Sequence, residues 1–259
     1  MNRRNFLFTS AYLVAGSFFG MSSFSKVFAF EKPGRSSFSR PHIALVIDDI
    51  GYSLSRAKQF LDLDIPITFS ILPRLTYSRV LAFEIHDRGH EIMLHQPMEP
   101  YDSYLDPGPG ALYVGDRSKK IFNIVEDNIS DVPFAIGVNN HMGSRFTGCR
   151  KEVTETLSVI KNSGLFFLDS RTSSHSKAYD IARTLHMPTA YRNIFLDNSR
   201  HEPAIRYQLY KLERYARKYG HAIGIGHPFP ETVKAIDHFA RNLRNSDVSL
   251  VHVSKIVTS

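Results

Sequence analysis

Six acid and imidazole side chains each follow a short apolar run in this chain. They are Asp48, Asp49, His95, His141, Asp169 and His227. Two neighbouring carboxylates at the end of a buried segment repel each other and lose hydration unless a cation or a proton compensates them. Carboxylates and imidazoles together are ligands suited to zinc or a similar divalent ion. The set therefore predicts a metal site in which one Asp of the pair binds the ion and the other works beside it.

The apolar runs before these residues alternate with amphipathic stretches. Continuous apolar character predicts strands at 42–47, 67–72, 91–94, 134–138, 165–168, 189–191, 222–225 and 248–253. Helical spacing and glycine stops predict helices at 54–61, 78–88, 119–129, 151–162, 177–185, 202–219 and 231–245. Prolines and glycines predict a long loop at 96–116. This alternation implies an α/β fold with right-handed crossovers, and the chain length favours a (β/α) barrel of about seven parallel strands.

The six residues share a position relative to the predicted strands. In parallel α/β folds, the side chains that do chemistry lie just beyond the carboxyl ends of the strands. All six fall there, so we expect them at one rim of the barrel. Taken singly, an Asp after a strand is often only a helix cap, and a lone His is usually solvated or hydrogen-bonded. The metal-site prediction therefore depends on the joint pattern.

Composition narrows the function classes. The chain has 259 residues, of which 42% are hydrophobic, and this is enough for one large core. The single cysteine, Cys149, excludes an intramolecular disulfide and a thiolate metal cage. The formal charge of +7 comes without a basic block interleaved with aromatics, so nucleic acid is not an expected partner. No G-x-G-x-x-G follows the first predicted strand, which argues against dinucleotide binding.

The first 40 residues resemble an export leader and a linker. An Arg-Arg pair precedes Phe-Leu and an apolar run, as in twin-arginine signals, and small residues allow cleavage after Ala29. We predict a signal peptide at 1–29, a linker at 30–40 and one domain at 41–259. Phe8 replaces the Lys usual in twin-arginine signals, so the general secretion route stays open, and an uncleaved anchor is the alternative to cleavage. We expect a periplasmic or otherwise exported protein without a stable membrane span after cleavage.

Five stretches, in order along the chain, carry a family resemblance. They are V-I-D-D-I-G-Y (46–52), H-E-I-M-L-H-Q-P-M-E-P (90–100), G-V-N-N-H-M-G-S (137–144), F-F-L-D-S-R-T (166–172) and G-I-G-H-P (224–228). Together they resemble the divergent polysaccharide deacetylase family, a branch of the NodB-homology carbohydrate esterases. The resemblance implies a distorted, NodB-like (β/α) barrel, a divalent metal for which zinc is favoured, and a polysaccharide or peptidoglycan-like substrate.

Carried over residue by residue, the resemblance implies roles for four side chains. Asp48 would be the general base and Asp49 a metal ligand. His95 would be the first histidine ligand, and His227 would be the general acid that protonates the leaving amine. A water activated by the metal would be the nucleophile at the acetyl carbonyl.

The chain departs from the family pattern at Glu99, where a second histidine ligand is expected. Either Glu99 binds the metal, or His141 supplies the missing imidazole from the next strand, which we favour. Asn140, Asp169 and Arg171 are further candidates for metal or substrate binding. Asp169 and Arg171 could orient the general acid or bind substrate, or they could form a salt bridge that only supports the scaffold.

The function predicted from the sequence is metal-dependent hydrolysis of the carbon–nitrogen bond in N-acetyl groups of a cell-envelope polysaccharide. The main alternative is a catalytically impaired, deacetylase-like protein of the periplasm that binds a glycan or a partner, because the change at Glu99 has removed turnover. A metal-dependent hydrolase of peptide or ester bonds is a further alternative. In the predicted loop, Tyr101, Tyr104 and Tyr113 could stack on sugar rings or simply pack at the surface.

Overall fold

A computed structural model of the protein describes residues 40–258. These residues contain nine strands: β1 (His42–Ile50), β2 (Thr68–Ile71), β3 (Glu91–Met98), β4 (Ala135–Met142), β5 (Phe166–Asp169), β6 (Thr189–Tyr191), β7 (Ile194–Phe195), β8 (His221–Gly226) and β9 (Ser249–Val251). They also contain seven α helices: α1 (Leu54–Leu61), α2 (Ser78–Asp87), α3 (Ser118–Asp131), α4 (Arg150–Asn162), α5 (Ala178–Thr184), α6 (Glu202–Tyr219) and α7 (Pro230–Leu243). The predicted signal peptide and nearly all of the predicted linker lie outside the described residues.

The nine strands form one sheet in which all strand pairs are parallel. Their order is β6-β5-β4-β3-β2-β1-β8-β7, and β9 pairs with the first residues of β1. The sheet curls into a partial barrel, which confirms the predicted distorted (β/α) barrel. The two-residue strand β7 was not predicted. At the edge strand β6, Thr189 forms an antiparallel bridge with Thr258 near the end of the chain.

Alternation along the strands divides the core into an outer and an inner layer. On β1, the odd-numbered residues of 43–47 pack with the helices, whereas Ala44 and Val46 face the inside of the barrel. The inner layer holds no residue of α1–α7 and includes Val253 from the C-terminal segment. Because successive side chains of a strand point to opposite faces, Asp48 continues the inner series of β1.

Three strands run at least three residues further than their apolar runs predicted. β1 reaches Ile50, β3 reaches Met98 and β4 reaches Met142. The extensions of β3 and β4 pair residue by residue, with His95 opposite Asn139. Polar side chains are compatible with buried strands here because they bond to one another, as buried polar groups in proteins generally do. The candidate residues on the extensions of β3 and β4 therefore stand on paired strands, not on loops.

The helix boundaries follow local signals. Oγ of Ser53 caps α1 by accepting a hydrogen bond from the backbone N–H of Arg56. Helix α6 ends at Gly220, whose φ of 87° gives the left-handed cap that glycine favours. Among residues 40–258, no helix combines the length and the apolar character that crossing a membrane requires.

Candidate metal and catalytic site

Polar side chains occupy the inner face of the barrel at its carboxyl rim. Strand alternation extends the inner layer into Asp48 on β1 and His95 on β3, which are only 3% and 2% exposed. His141 lies on the extension of β4, and His227 follows β8 directly. Side chains from the ends of four separate strands therefore meet at one rim.

Asp49 reaches the same side as Asp48 because the backbone turns there. Its φ of 57° lies in the left-handed region, which non-glycine residues rarely adopt. The β1–β2 register also shifts between Ile47 and Ile50. As a result, Oδ2 of Asp48 and Oδ1 of Asp49 lie 3.6 Å and 3.3 Å from Nε2 of His95. Backbone strain of this kind persists where the surrounding structure holds it, and it is common in functional sites.

Three potential ligand atoms converge at this point. Nδ1 of His141 lies 3.0 Å from Oδ1 of Asp49 and 3.1 Å from Nε2 of His95. The third separation, between Asp49 and His95, is the 3.3 Å given above. The three residues form a group in which each offers one atom to a single metal ion.

The geometry of this group fits a divalent cation. With ligand bonds of about 2.0–2.1 Å, tetrahedral ligand atoms stand about 3.3 Å apart. Oδ1 of Asp49 is buried and has no hydrogen bond of acceptable geometry, although two imidazole nitrogens lie close to it. A buried carboxylate oxygen without a partner is costly, and a cation at the centre of the three atoms would satisfy it. Asp49, His95 and His141 would hold that ion.

Asn139 fixes the tautomer of His95. Its Nδ2 donates to Oδ1 of Asp48 at 2.9 Å, because an ionised carboxylate can only accept. Oδ1 of Asn139 therefore faces Nδ1 of His95 at 2.8 Å, and that nitrogen must carry the proton. Nε2 of the neutral ring is left with its lone pair towards the candidate metal position, which is how ligating histidines are usually oriented.

The charges of the ligand group are mutually stabilising. Burial opposes ionisation of Asp49, but the neighbouring His141 and His95 rings outweigh burial and hold its pKa far below the usual range. Burial also favours the neutral form of His95, yet the charges of Asp48 and Asp49 raise its pKa above the ordinary value. The site therefore favours positive charge at its centre, and a proton or a metal ion can supply it.

His227 is held by Asp197, which follows β7. Nδ1 of His227 lies 2.9 Å from Oδ1 of Asp197, and the backbone N–H of His227 donates to Oδ2 of the same carboxylate. Thr232 donates a further hydrogen bond to Oδ2. Burial favours the neutral ring, but the bond to Asp197 and the charge of Asp49 raise the pKa of His227 to about 9. Nε2 of His227 lies 3.8 Å from Oδ2 of Asp49.

Glu99 makes other contacts. Oε1 accepts a hydrogen bond from Arg145 at 2.8 Å, and Oε2 accepts one from the backbone N–H of Val114 at 2.8 Å. Glu99 thus joins the start of the long loop to the segment after β4, and it is absent from the group that could hold a metal. Of the two open alternatives for the missing histidine, the geometry places His141 among the candidate ligands.

Two further candidates take part in the scaffold beside the site. Asn140 accepts from the backbone N–H of Ser170 and donates to the carbonyl of Met142. Asp169 accepts from Oγ of Ser176 and from the backbone N–H of Tyr179. Each adjoins a residue whose side chain points into the barrel. Its own side chain therefore points to the outer face and supports the turns behind the rim.

Arg171 packs on aromatic rings and not against an acid. Its guanidinium carbon lies 3.6 Å from the ring centroid of Tyr191, and the residue is exposed. The backbone N–H of Arg171 donates to Asp169, but the two side chains form no salt bridge in the part of the chain that the structure describes. The carboxylate that bonds to His227 is that of Asp197.

Asp197 and Asn139 were not singled out from the sequence. A signal for Asp197 was present, because F-L-D at 167–169 recurs as F-L-D at 195–197, in each case at the end of a strand. The second copy follows the two-residue strand β7, which is too short to show periodicity. Asn139 adjoins Asn140, which the sequence did suggest as a candidate. Strand alternation points the side chain of Asn139 into the barrel and that of Asn140 to the outer face.

Comparisons with known proteins identify the relatives of this chain. The sequence profile of the divergent polysaccharide deacetylase family matches residues 45–257. An uncharacterised protein of Haemophilus influenzae is 36% identical over 226 residues, which cover 85% of this chain and 78% of that protein. The crystal structure of an uncharacterised protein from Agrobacterium tumefaciens superposes with a TM-score of 0.81 at 28% identity, over 86% of this chain and 91% of that one.

A more distant similarity concerns the fold alone. The catalytic domain of a peptidoglycan N-acetylglucosamine deacetylase from Eubacterium rectale superposes with a TM-score of 0.53 at 12% identity. The match covers 82% of this chain and 88% of that domain. The curled barrel is therefore shared with carbohydrate deacetylases.

We predict that substituting Ala for His95 or His141 weakens zinc binding by at least about 100-fold, since each removes an imidazole that points at the shared position. Isothermal titration calorimetry of the purified chain with Zn²⁺ measures the effect. Glu99→Gln is the matched control and should keep the wild-type affinity. Equal losses in all three variants would instead show that Glu99 belongs to the ligand set.

We predict that Asp197→Asn lowers the pKa of His227 from about 9 towards the ordinary value, because the hydrogen bond to a charged partner is lost. Since the shift in the native protein is upward, the wild-type ring stays protonated through neutral pH and loses its proton near pH 9. NMR titration of the imidazole in metal-free protein measures both values. An unchanged pKa in the variant would mean that another group holds the proton on the ring.

Proposed function

The chain belongs to the divergent polysaccharide deacetylase family, and from this premise we propose that it is a metal-dependent hydrolase. It would release acetate from N-acetylated amino sugars of a cell-envelope polysaccharide and leave a free amine. The observation that carries the proposal is the grouping at one rim of a buried carboxylate, three candidate metal ligands and an imidazole that is hydrogen-bonded to a second carboxylate. These are the parts that amide hydrolysis at a metal site requires.

In this proposal Asp48 would act as the general base. A divalent cation, when bound by the three ligands, would lower the pKa of a water molecule and polarise the acetyl carbonyl. Oδ1 of Asp48 is engaged by Asn139, which leaves Oδ2 beside Nε2 of His95 and so beside the ligand group. Oδ2 would accept a proton from the attacking water while the oxygen of that water bonds to the acetyl carbon.

His227 would act as the general acid. Its Nδ1 is held by Asp197, so Nε2 is the atom that can give up a proton. The rings of Phe195 and Phe229 flank the imidazole, with centroids 5.2 Å and 5.7 Å away, and they limit the access of water. As the carbon–nitrogen bond breaks, Nε2 would protonate the leaving amine. The hydrogen bond to Asp197 favours the protonated form of the ring, so it supports this role.

A binding protein without turnover is the second candidate, and the contacts of Glu99 favour it. The family pattern has a histidine ligand at this position, whereas here Glu99 is paired with Arg145. The candidate ligands that remain are Asp49, His95 and His141, and the two imidazoles among them come from different strands. A protein that binds zinc and glycan but releases acetate from neither peptidoglycan nor chitooligosaccharides would support this second candidate.

We also propose that the chain is exported to the periplasm. The Arg-Arg leader and the cleavage position after Ala29 support this location. N-terminal sequencing of the protein from a periplasmic extract should begin at Phe30. A chain that keeps residues 1–29 and sediments with membranes would favour an uncleaved anchor.

We predict that Asp48→Asn lowers the rate of acetate release by about 10²–10⁴-fold, because the variant cannot take the proton of the water. Zinc content should stay near the wild-type value, since Asp48 is outside the ligand group. Acetate release from peptidoglycan and chitooligosaccharides and metal content are both measured on the same preparations.

The neighbouring substitution is the matched control. Asp49→Asn should lose zinc as well as acetate release, because Oδ1 of Asp49 is a candidate ligand. The contrast separates the roles of two consecutive residues. Full turnover in Asp48→Asn would remove the assigned base, and loss of zinc in both variants would show that the two carboxylates act as one ligand unit.

A further inference from the structure

A small cavity opens beside the candidate metal site. Its volume is about 160 Å³. It is lined by Asp49, Tyr52, Arg56, Arg200, His227 and Phe229, among others. Because a water molecule takes about 30 Å³ of liquid volume, the space suits a substituent of a few heavy atoms and not a second sugar ring. The same cavity contains a candidate metal ligand and the proposed general acid, so whatever fills it lies next to the reacting group.

Two arginines of this cavity have no acidic partner. Within residues 40–258, neither Arg56 nor Arg200 forms a salt bridge, and neither guanidinium donates a hydrogen bond to protein. Other arginines do pair with acids, for example Arg145 with Glu99 and Arg217 with Asp247. Two guanidinium groups therefore keep their donors free at one small space.

Local structure positions both side chains. Arg56 lies in the first turn of α1, which begins after the cap Ser53 and has no acid in that turn. The guanidinium carbon of Arg200 lies 3.8 Å from the ring centroid of Phe229, a stacking contact that fixes the plane of the group while leaving its N–H edges open. The only acid among the cavity residues named above is Asp49, and its charge is engaged by two imidazoles.

We propose that Arg56 and Arg200 bind a carboxylate on the substrate, so that the enzyme acts on an acidic amino sugar and not on a neutral one. This inference rests on the proposed function, because it assumes that an N-acetylated sugar reaches the rim. The planar guanidinium presents paired N–H donors that match the two oxygens of a carboxylate. Tyr52, which is 63% exposed, offers a ring face at the mouth of the same cavity for the sugar.

Binding can be tested separately from turnover. The probes are a peptidoglycan tetrasaccharide, whose N-acetylmuramic residues carry free lactyl carboxylates, and its methyl ester. The zinc-loaded Asp48→Asn protein is titrated with each probe by calorimetry, because its turnover is expected to be about 10²–10⁴-fold slower than that of the wild-type protein. We expect the acid to bind at least about 10-fold more tightly than the ester, with a difference that shrinks as salt is added. Changing both Arg56 and Arg200 to Gln should remove the difference.

The control variant removes two other exposed positive charges, Arg214→Gln with Lys218→Gln. These residues lie in the last two turns of α6, which ends just before the start of β8, at the opposite end of the strand from His227. The control should keep the preference for the acid, and thermal unfolding checks that both double variants fold. Equal binding of acid and ester, no binding of the acid, or a preference that survives loss of Arg56 and Arg200 would each overturn the inference.

The two proposals fail differently. If the acid is bound through the arginines but the wild-type protein releases no acetate, the deacetylase function is wrong and the carboxylate site stands. If wild-type protein releases acetate equally fast from the acid and the ester, the function stands and the carboxylate site is wrong.

Discussion

The carboxylates of two consecutive residues, Asp48 and Asp49, lie close to one nitrogen of the His95 imidazole. Much of the geometry of the site follows from this contact. Negative charges so close together, away from bulk water, repel strongly unless positive charge lies beside them. For Asp48 and Asp49 the positive charge comes from His95, whose pKa they raise. Asp48 also interacts with the half-buried guanidinium of Arg192. Hydrogen bonds to the carbonyls of Ser170 and of the next residue fix that guanidinium. A divalent cation would replace the proton of the imidazole and would compensate the negative charges of both carboxylates.

The same arrangement separates the work of the two acids. Asp48 is tied by Asn139 into a chain of hydrogen bonds that ends on the far nitrogen of His95, so its position and the orientation of the ring are set together. Asp49 has no such bond and presents a buried, unsatisfied oxygen. The carboxylate of Asp48 is thus held by a hydrogen bond within the protein, whereas that of Asp49 has an oxygen that a cation would bind. The left-handed backbone at Asp49 makes this possible, since regular strand geometry would point the two side chains to opposite faces.

Apolar periodicity and glycine stops predicted all the helices and strands in order except β7, and α1, α6 and β6 have the predicted bounds. A position just after a strand does not by itself give the face on which a polar residue lies. Asp169 follows a strand just as Asp48 does, but it adjoins the inner residue Leu168 and so points outward. Counting alternate positions from buried inner residues would have separated Asn139 from Asn140 in the same way. The ends of the strands were missed because hydrogen bonds between polar side chains, not apolar burial, keep them in the sheet.

Register explains why the second imidazole comes from β4. In the β3–β4 pairing, Pro97 lies opposite His141, two positions beyond the pair of His95 and Asn139. Residues 95 and 141 therefore stand diagonally across neighbouring strands on the same face, within reach of long side chains. The residue at 99 has passed the end of β3, where its carboxylate bonds to Val114 and Arg145. His141 can thus lie beside His95 although it comes from the neighbouring strand, because parallel strands bring both positions to the same rim.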